Sequence, residues 1–164
     1  MFARNILNIR NSIFACLAMV MFASPVLAAE QSFNKLPGRW VGQGWLQTNS
    51  GDKESIRCIA TYFVKNGGAT LDQNLRCASA SYTVVGKGAL TSSSGKISGT
   101  WNEENFDLTG NVSGTSNGGL LKLTVKGPKF VANFSVTTRG AKQSVVISSN
   151  GTNIKKLVIN LRKG

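Results

Sequence analysis

Two runs decide how this chain folds: Ile56-Arg57-Cys58-Ile59-Ala60-Thr61-Tyr62-Phe63-Val64 and Leu71-Asp72-Gln73-Asn74-Leu75-Arg76-Cys77, joined across Gly67-Gly68. Apolar residues recur at every second position in both, the period of a strand with one buried face. A hairpin centred on Gly67-Gly68 sets residue 58 opposite 77, 60 opposite 75, 62 opposite 73 and 64 opposite 71. One face then gathers Ile56, Cys58, Ala60, Tyr62 and Val64 against Cys77, Leu75, Gln73 and Leu71. The other gathers Arg57, Thr61, Asp72, Asn74 and Arg76, with Ile59 and Phe63 as exceptions. A slip of one residue would turn every apolar side chain outward and part the cysteines, so the register is strongly specified. A Cys58–Cys77 disulfide follows, because the spacing matches no metal motif and no Cys-X-X-Cys is present. It reads as a structural crosslink.

The same alternation extends in both directions. Strands are predicted near residues 38–48, 54–65, 69–78, 81–91, 95–102, 105–115, 119–126, 129–138, 142–149 and 153–162. Turn residues separate them, among them Asn49-Ser50-Gly51-Asp52, Asn117-Gly118, Gly127-Pro128, Arg139-Gly140 and Asn150-Gly151. No segment after the first thirty or so residues carries a helical apolar period. Parallel strands need crossovers of a dozen or more residues, and these links are too short for that. The expected fold class is therefore all-β: a single antiparallel up-and-down β-barrel of about 8–10 strands, with a β-sandwich as runner-up. A weak internal echo, Gly95-Lys96-Ile97-Ser98-Gly99-Thr100 and Gly110-Asn111-Val112-Ser113-Gly114-Thr115, suits two neighbouring hairpin strands.

The chain opens differently. Arg4 and Arg10 precede the apolar run Ile13 to Ala23, then Pro25 and Val26-Leu27-Ala28. This is the layout of a secretory signal peptide, and the run is too short to span a bilayer. The expected organisation is a signal peptide over 1–28, a short leader over 29–37 and the barrel domain over 38–164. Localisation is then periplasmic or secreted. Few aromatics remain beyond the signal peptide, and they do not bracket the strands as interfacial girdles, so the barrel is expected not to span a membrane.

The sequence has no histidine. That removes the commonest general base and metal ligand and the usual partner of a nucleophilic Ser or Cys. Glu103, Glu104 and Asp107 surround one turn without calcium-loop spacing and read as surface-turn residues. No catalytic residue, metal site or cofactor is expected, and the chain reads as a non-enzyme.

Residues Leu36-Pro37-Gly38-Arg39-Trp40 open the first strand. They resemble the Gly-X-Trp opening of calycin-type barrels: lipocalins, avidins and the small secreted bacterial metalloprotease inhibitors. The resemblance implies that Trp40 closes one end of the barrel beneath a basic residue from a late strand. Arg162 is the only Arg in the last predicted strand and takes that part. The inhibitor group also pairs an early Trp with a disulfide across the next strands, as Cys58 and Cys77 would. The departures are about ten strands against the usual eight and the absence of other lipocalin motifs.

Formal charge is +12, and it stays strongly positive without the signal peptide, where 17 basic residues face seven acidic ones. Such a surface favours anionic envelope polymers over neutral ones. Lys122, Lys126, Lys155 and Lys156 are candidate members of a basic recognition surface. No basic run with interleaved aromatics suggests nucleic acid. The first functional expectation is an exported binding or envelope-maintenance protein whose basic surface recognises an anionic envelope component or a protein partner. The alternative is a lipocalin-like carrier of a small apolar ligand. Glycines on core-facing parities (Gly42, Gly44, Gly99, Gly110, Gly114) would leave room inside or permit strand coiling. An apolar cavity on the order of several hundred Å³ would favour the carrier, and a filled interior the surface binder.

Overall fold

A computed structural model describes residues 32–164. The segment read as a signal peptide, residues 1–28, lies outside them. Ten strands follow in order: β1 (Gly38–Thr48), β2 (Lys53–Lys65), β3 (Thr70–Ala78), β4 (Thr83–Ser93), β5 (Lys96–Glu103), β6 (Leu108–Asn117), β7 (Leu120–Lys126), β8 (Val131–Arg139), β9 (Lys142–Asn150) and β10 (Ile154–Lys163). Each pairs antiparallel with its neighbours in sequence, and β1 pairs with β10 to close the barrel. Closure leaves no unpaired sheet edge. The sandwich is excluded.

The hairpin that opened the sequence reading has the expected register: Cys58 faces Cys77, Ala60 faces Leu75, Tyr62 faces Gln73 and Val64 faces Leu71. Cys58 and Cys77 are joined by a disulfide, and both are buried. The connection is a short 3-10 turn, Asn66–Gly68, with positive φ at Asn66, Gly67 and Gly68. The internal echo also has a structural meaning. Its two copies lie on β5 and β6 with Ser98 opposite Ser113, so Ile97 faces Gly114 and Val112 faces Gly99. The two glycines admit close backbone approach from the flanking strands: a Cβ at Gly99 would meet the Ala89 carbonyl of β4, and one at Gly114 the Lys122 carbonyl of β7.

Inward positions carry the core: Leu46, Ile56, Ala60, Leu71, Leu90, Ile97, Val112, Leu121, Val136, Val145, Leu157, Ile159 and Leu161. Outward positions carry mainly Lys, Arg, Ser, Thr, Asn and Gln, the inverse of a lipid-facing barrel. No helix among the described residues is long and apolar enough to cross a membrane. The core-facing glycines serve strand coiling rather than internal space. A Cβ at Gly42 or Gly44 would collide with the backbone oxygens of Asn160 or Val158 on β10.

One strand boundary differs from expectation, and the leader has a packing role. β1 begins at Gly38, where the leader over 29–37 was expected to end, and the leader's described part, from Ser32 on, packs against one end of the barrel. Phe33 and Leu36 are fully buried at one end, and the Phe33 N–H donates to the Gly68 carbonyl at 3.3 Å. A nonpolar pair flanking the first strand had no period to reveal that it folds back over the barrel end. Phe106, expected on a strand face, lies instead in the β5–β6 loop at 41% exposure. The Glu103 carboxylate accepts from the Phe106 N–H at 2.7 Å, and Asp107 has φ +49°, which together turn the chain before β6 begins.

Candidate functional site

The two ends of the barrel are chemically different. The β1 start and β10 finish define a closed end. There Trp40 is wholly buried, and its indole N–H donates to the Leu36 carbonyl at 2.7 Å. Phe33, Leu36 and Trp40 fill the end. Beside them the buried Tyr62 hydroxyl donates to Gln143 Oε1 at 2.9 Å, and Gln143 Nε2 donates to Thr138 Oγ1 at 3.1 Å. Burial pushes the Tyr62 phenol above its ordinary range.

Trp40 thus lies where the Gly-X-Trp resemblance implied, but Arg162 does not cover it. The cation over the indole is the Lys163 ammonium, 5.8 Å from the ring centroid. Trp40 pairs with Lys163, whereas Arg162 pairs with Val41 on the outward face. Leu157, Ile159 and Leu161 are buried inward positions of β10, so Lys163 continues their side. That alternation was already present in the sequence, and followed one step further it selects Lys163. The identity of the only arginine in the strand misdirected the assignment.

The opposite end is open. An apolar cavity of about 290 Å³ enters the barrel there. Its walls include Leu75 from β3, Trp101 from β5, Ala132 and Phe134 from β8, Ile147 from β9 and Leu157 from β10. Phe106 and Phe130 stand at its rim from the loops. Trp101 is held edge-on to Phe130 and Phe134, with ring centroids 6.4 and 6.1 Å away. It is inward-facing between Gly88 on β4 and Gly110 on β6, its cross-strand partners. The next inward β4 position, Gly86, also leaves space: a Cβ there would come 3.2 Å from the indole nitrogen. The glycines that create room inside are therefore Gly86 and Gly88, outside the set singled out by sequence. Their alternation opposite a tryptophan was the available signal.

Glu103 lies at the cavity wall and is buried, contrary to its reading as a surface-turn residue. Its Oε1 accepts from the Val85 N–H and its Oε2 from the Phe106 N–H, both at 2.7 Å. Two backbone donors compensate the buried charge, and the carboxylate fixes the β5–β6 loop that carries Phe106. Glu104 instead pairs with Lys87 on the outside. Among the described residues, no cluster of His, Cys, Asp or Glu could hold a metal. Two hydroxyls at the mouth also bond internally: Ser149 and Thr152 both donate to the Ile154 carbonyl. The cavity wall is largely apolar and aromatic.

The four candidate lysines do not converge. Lys122 and Lys126 lie on β7 and Lys155 and Lys156 at the start of β10, with β8 and β9 between. Three strand steps separate the pairs by roughly 14 Å along the sheet. Lys156 is engaged, its ammonium 5.7 Å from the outward Trp45 ring that Lys53 also approaches. Lys126 borders an open outer groove of about 850 Å³ across β3 to β7, whose walls include Asn74, Thr100, Asn102 and Asn111. Two of the charges there are already paired, Asp72 with Lys65 and Lys87 with Glu104.

The closed antiparallel barrel is compatible with a calycin-like architecture. Neither the scan against protein-family models nor the search of curated proteins finds a match to this chain.

Proposed function

We propose that this chain is an exported, non-catalytic binding protein of calycin-like build that holds a small apolar, preferably aromatic, ligand in the open end of its barrel. The observation that carries the reading is the 290 Å³ cavity faced by Trp101, Phe106, Phe130 and Phe134. Small-molecule sites are concave, mostly apolar and run from about 300 Å³ upward. The cavity stands at the small end of that range, so a compact ring system suits it better than a long acyl chain. Sealing of the other end by Phe33, Leu36 and Trp40 makes the site a cup rather than a channel. Export rests on the N-terminal residue pattern and agrees with the disulfide.

The neutral dye N-phenyl-1-naphthylamine tests the proposal. The expected result is saturable, one-to-one fluorescence enhancement with a matching change in Trp emission, unaffected by salt. Ala132→Phe, which fills the cavity from the wall, is expected to abolish it while the protein stays folded. Absence of saturable binding to folded wild-type protein, or full binding by the filled variant, would overturn the proposal.

A further inference from the structure

Three cationic side chains stand in one cross-strand row on the outside of the closed end. Lys142 on β9 faces Arg139 on β8 and Arg162 on β10. All three are exposed on the outward face, and neighbouring members of such a row are about 5 Å apart at Cα. Like charges directly opposite each other in a sheet are destabilising. Here none of the three has an ion-pair partner among the described residues. Five of the six described acidic residues, Asp52, Glu54, Glu103, Glu104 and Asp107, belong to strand ends and loops at the open end, and the sixth, Asp72, pairs with Lys65.

The adjacent outward row is polar and short: Thr137, Ser144 and Asn160, in register across the same strands. Their side chains make no hydrogen bond within the described residues. The two rows line one open concavity of about 530 Å³. Three unneutralised cations thus border a hollow with hydroxyl and amide donors at its side, in a place where repulsion costs stability.

We infer that this hollow is an anion site for a phosphate monoester, either free or carried on a surface-borne headgroup. A phosphate dianion supplies the opposite charge the row lacks, and its tetrahedral oxygens can accept from several strands at once. The two arginine forks suit phosphate bidentately, and Lys142 between them acts as a point charge. A carboxylate offers one charge and two oxygens and satisfies the row less well. The site is independent of the internal cavity and opens on the opposite end of the barrel.

The test uses purified protein and inorganic phosphate, with chloride at matched ionic strength as control. Backbone amide resonances of Lys142, Ser144 and Arg162 are expected to shift saturably with phosphate and not with chloride. Arg139→Gln and Arg162→Gln should each weaken binding about tenfold or more, the scale of one lost charged hydrogen bond. Lys155→Gln/Lys156→Gln should leave it unchanged. Without phosphate at low salt, Lys142→Gln is expected to raise Tm by relieving repulsion, and phosphate should then raise the wild-type Tm more than the variant's. A second arm replaces free phosphate with phosphatidylcholine vesicles doped with phosphatidic acid. Arginine-dependent binding in either arm supports the site, and the arm in which it occurs names the source. Binding in neither, equal effects of chloride, equal loss in the Lys155/Lys156 variant, or a lowered Tm for Lys142→Gln would overturn it.

Discussion

Trp40, Lys163 and Tyr62 show how single residues finish the closed end. Trp40 is buried on every side and spends its one donor on Leu36. Trp40→Ala is expected to cost roughly 3–5 kcal/mol in urea unfolding, as a large cavity opens. Lys163→Gln should cost about 0.5–1 kcal/mol through the lost cation–π contact, whereas Arg162→Gln should not destabilise. A larger loss for Arg162→Gln than for Lys163→Gln would show that the parity argument fails. Tyr62 predicts a pH dependence. Its phenol is raised by burial, so the folded state holds the proton more tightly than the unfolded chain. The corresponding stability is fully present below pH about 10, the ordinary tyrosine value, and is lost as pH rises beyond it. Tyr62→Phe should cost about 1–3 kcal/mol at neutral pH by stranding Gln143. The gap between variant and wild type should narrow above pH 10 in parallel denaturation curves.

At the scale of elements, the β2–β3 hairpin is the most strongly determined part of the chain. Its register satisfies an apolar ladder, a polar ladder and a disulfide together, and no other register does. Replacing Cys58 and Cys77 by Ala is expected to lower stability by about 3 kcal/mol without changing the register. Both sulfurs face the barrel interior and are nearly inaccessible, so reductant should act on the native protein only slowly. Rapid reduction under native conditions would contradict the inward placement. The β5–β6 pair is specified differently: Gly99 and Gly114, opposite Val112 and Ile97, admit the close backbones of β4 and β7, which a side chain at either position would displace. Hairpin by hairpin, local pattern and tertiary pairing agree, which is what a single funnelled native state requires.

Over the whole molecule, closure separates three chemistries: a sealed basic end, an apolar cup at the other end and a polar outer wall. The cup predicts a linkage. A ligand that occupies it in the folded state alone should raise apparent stability by about 2.7 kcal/mol at a hundredfold excess over its Kd. Thermal melts with N-phenyl-1-naphthylamine are expected to show this concentration-dependent shift in wild type and not in Ala132→Phe. A shift of equal size in both would place the dye elsewhere. High salt should leave that shift intact while it removes the repulsion among Arg139, Lys142 and Arg162, since surface charges are screened within about 8 Å at physiological salt.

The sequence by itself determined the strand order, the antiparallel meander, the disulfide register and the burial of Trp40. These depend on a two-residue period and on turns whose chemistry is local. It also contained the parity that puts Lys163, not Arg162, over the indole, although residue type drew attention elsewhere. Only the tertiary structure decided what depends on closure. Joining β1 to β10 sets Val41 beside Arg162, at the end of the row that the β8–β9 and β9–β10 pairings make of Arg139, Lys142 and Arg162. The tertiary structure also packs Phe33 and Leu36 against the closed end and buries Glu103 against two backbone donors. Whether the interior is filled or hollow was likewise beyond a pattern of alternation. Inward positions are identified by period, but the space among them is set by which large and small side chains meet across strands, as Trp101 meets Gly86 and Gly88.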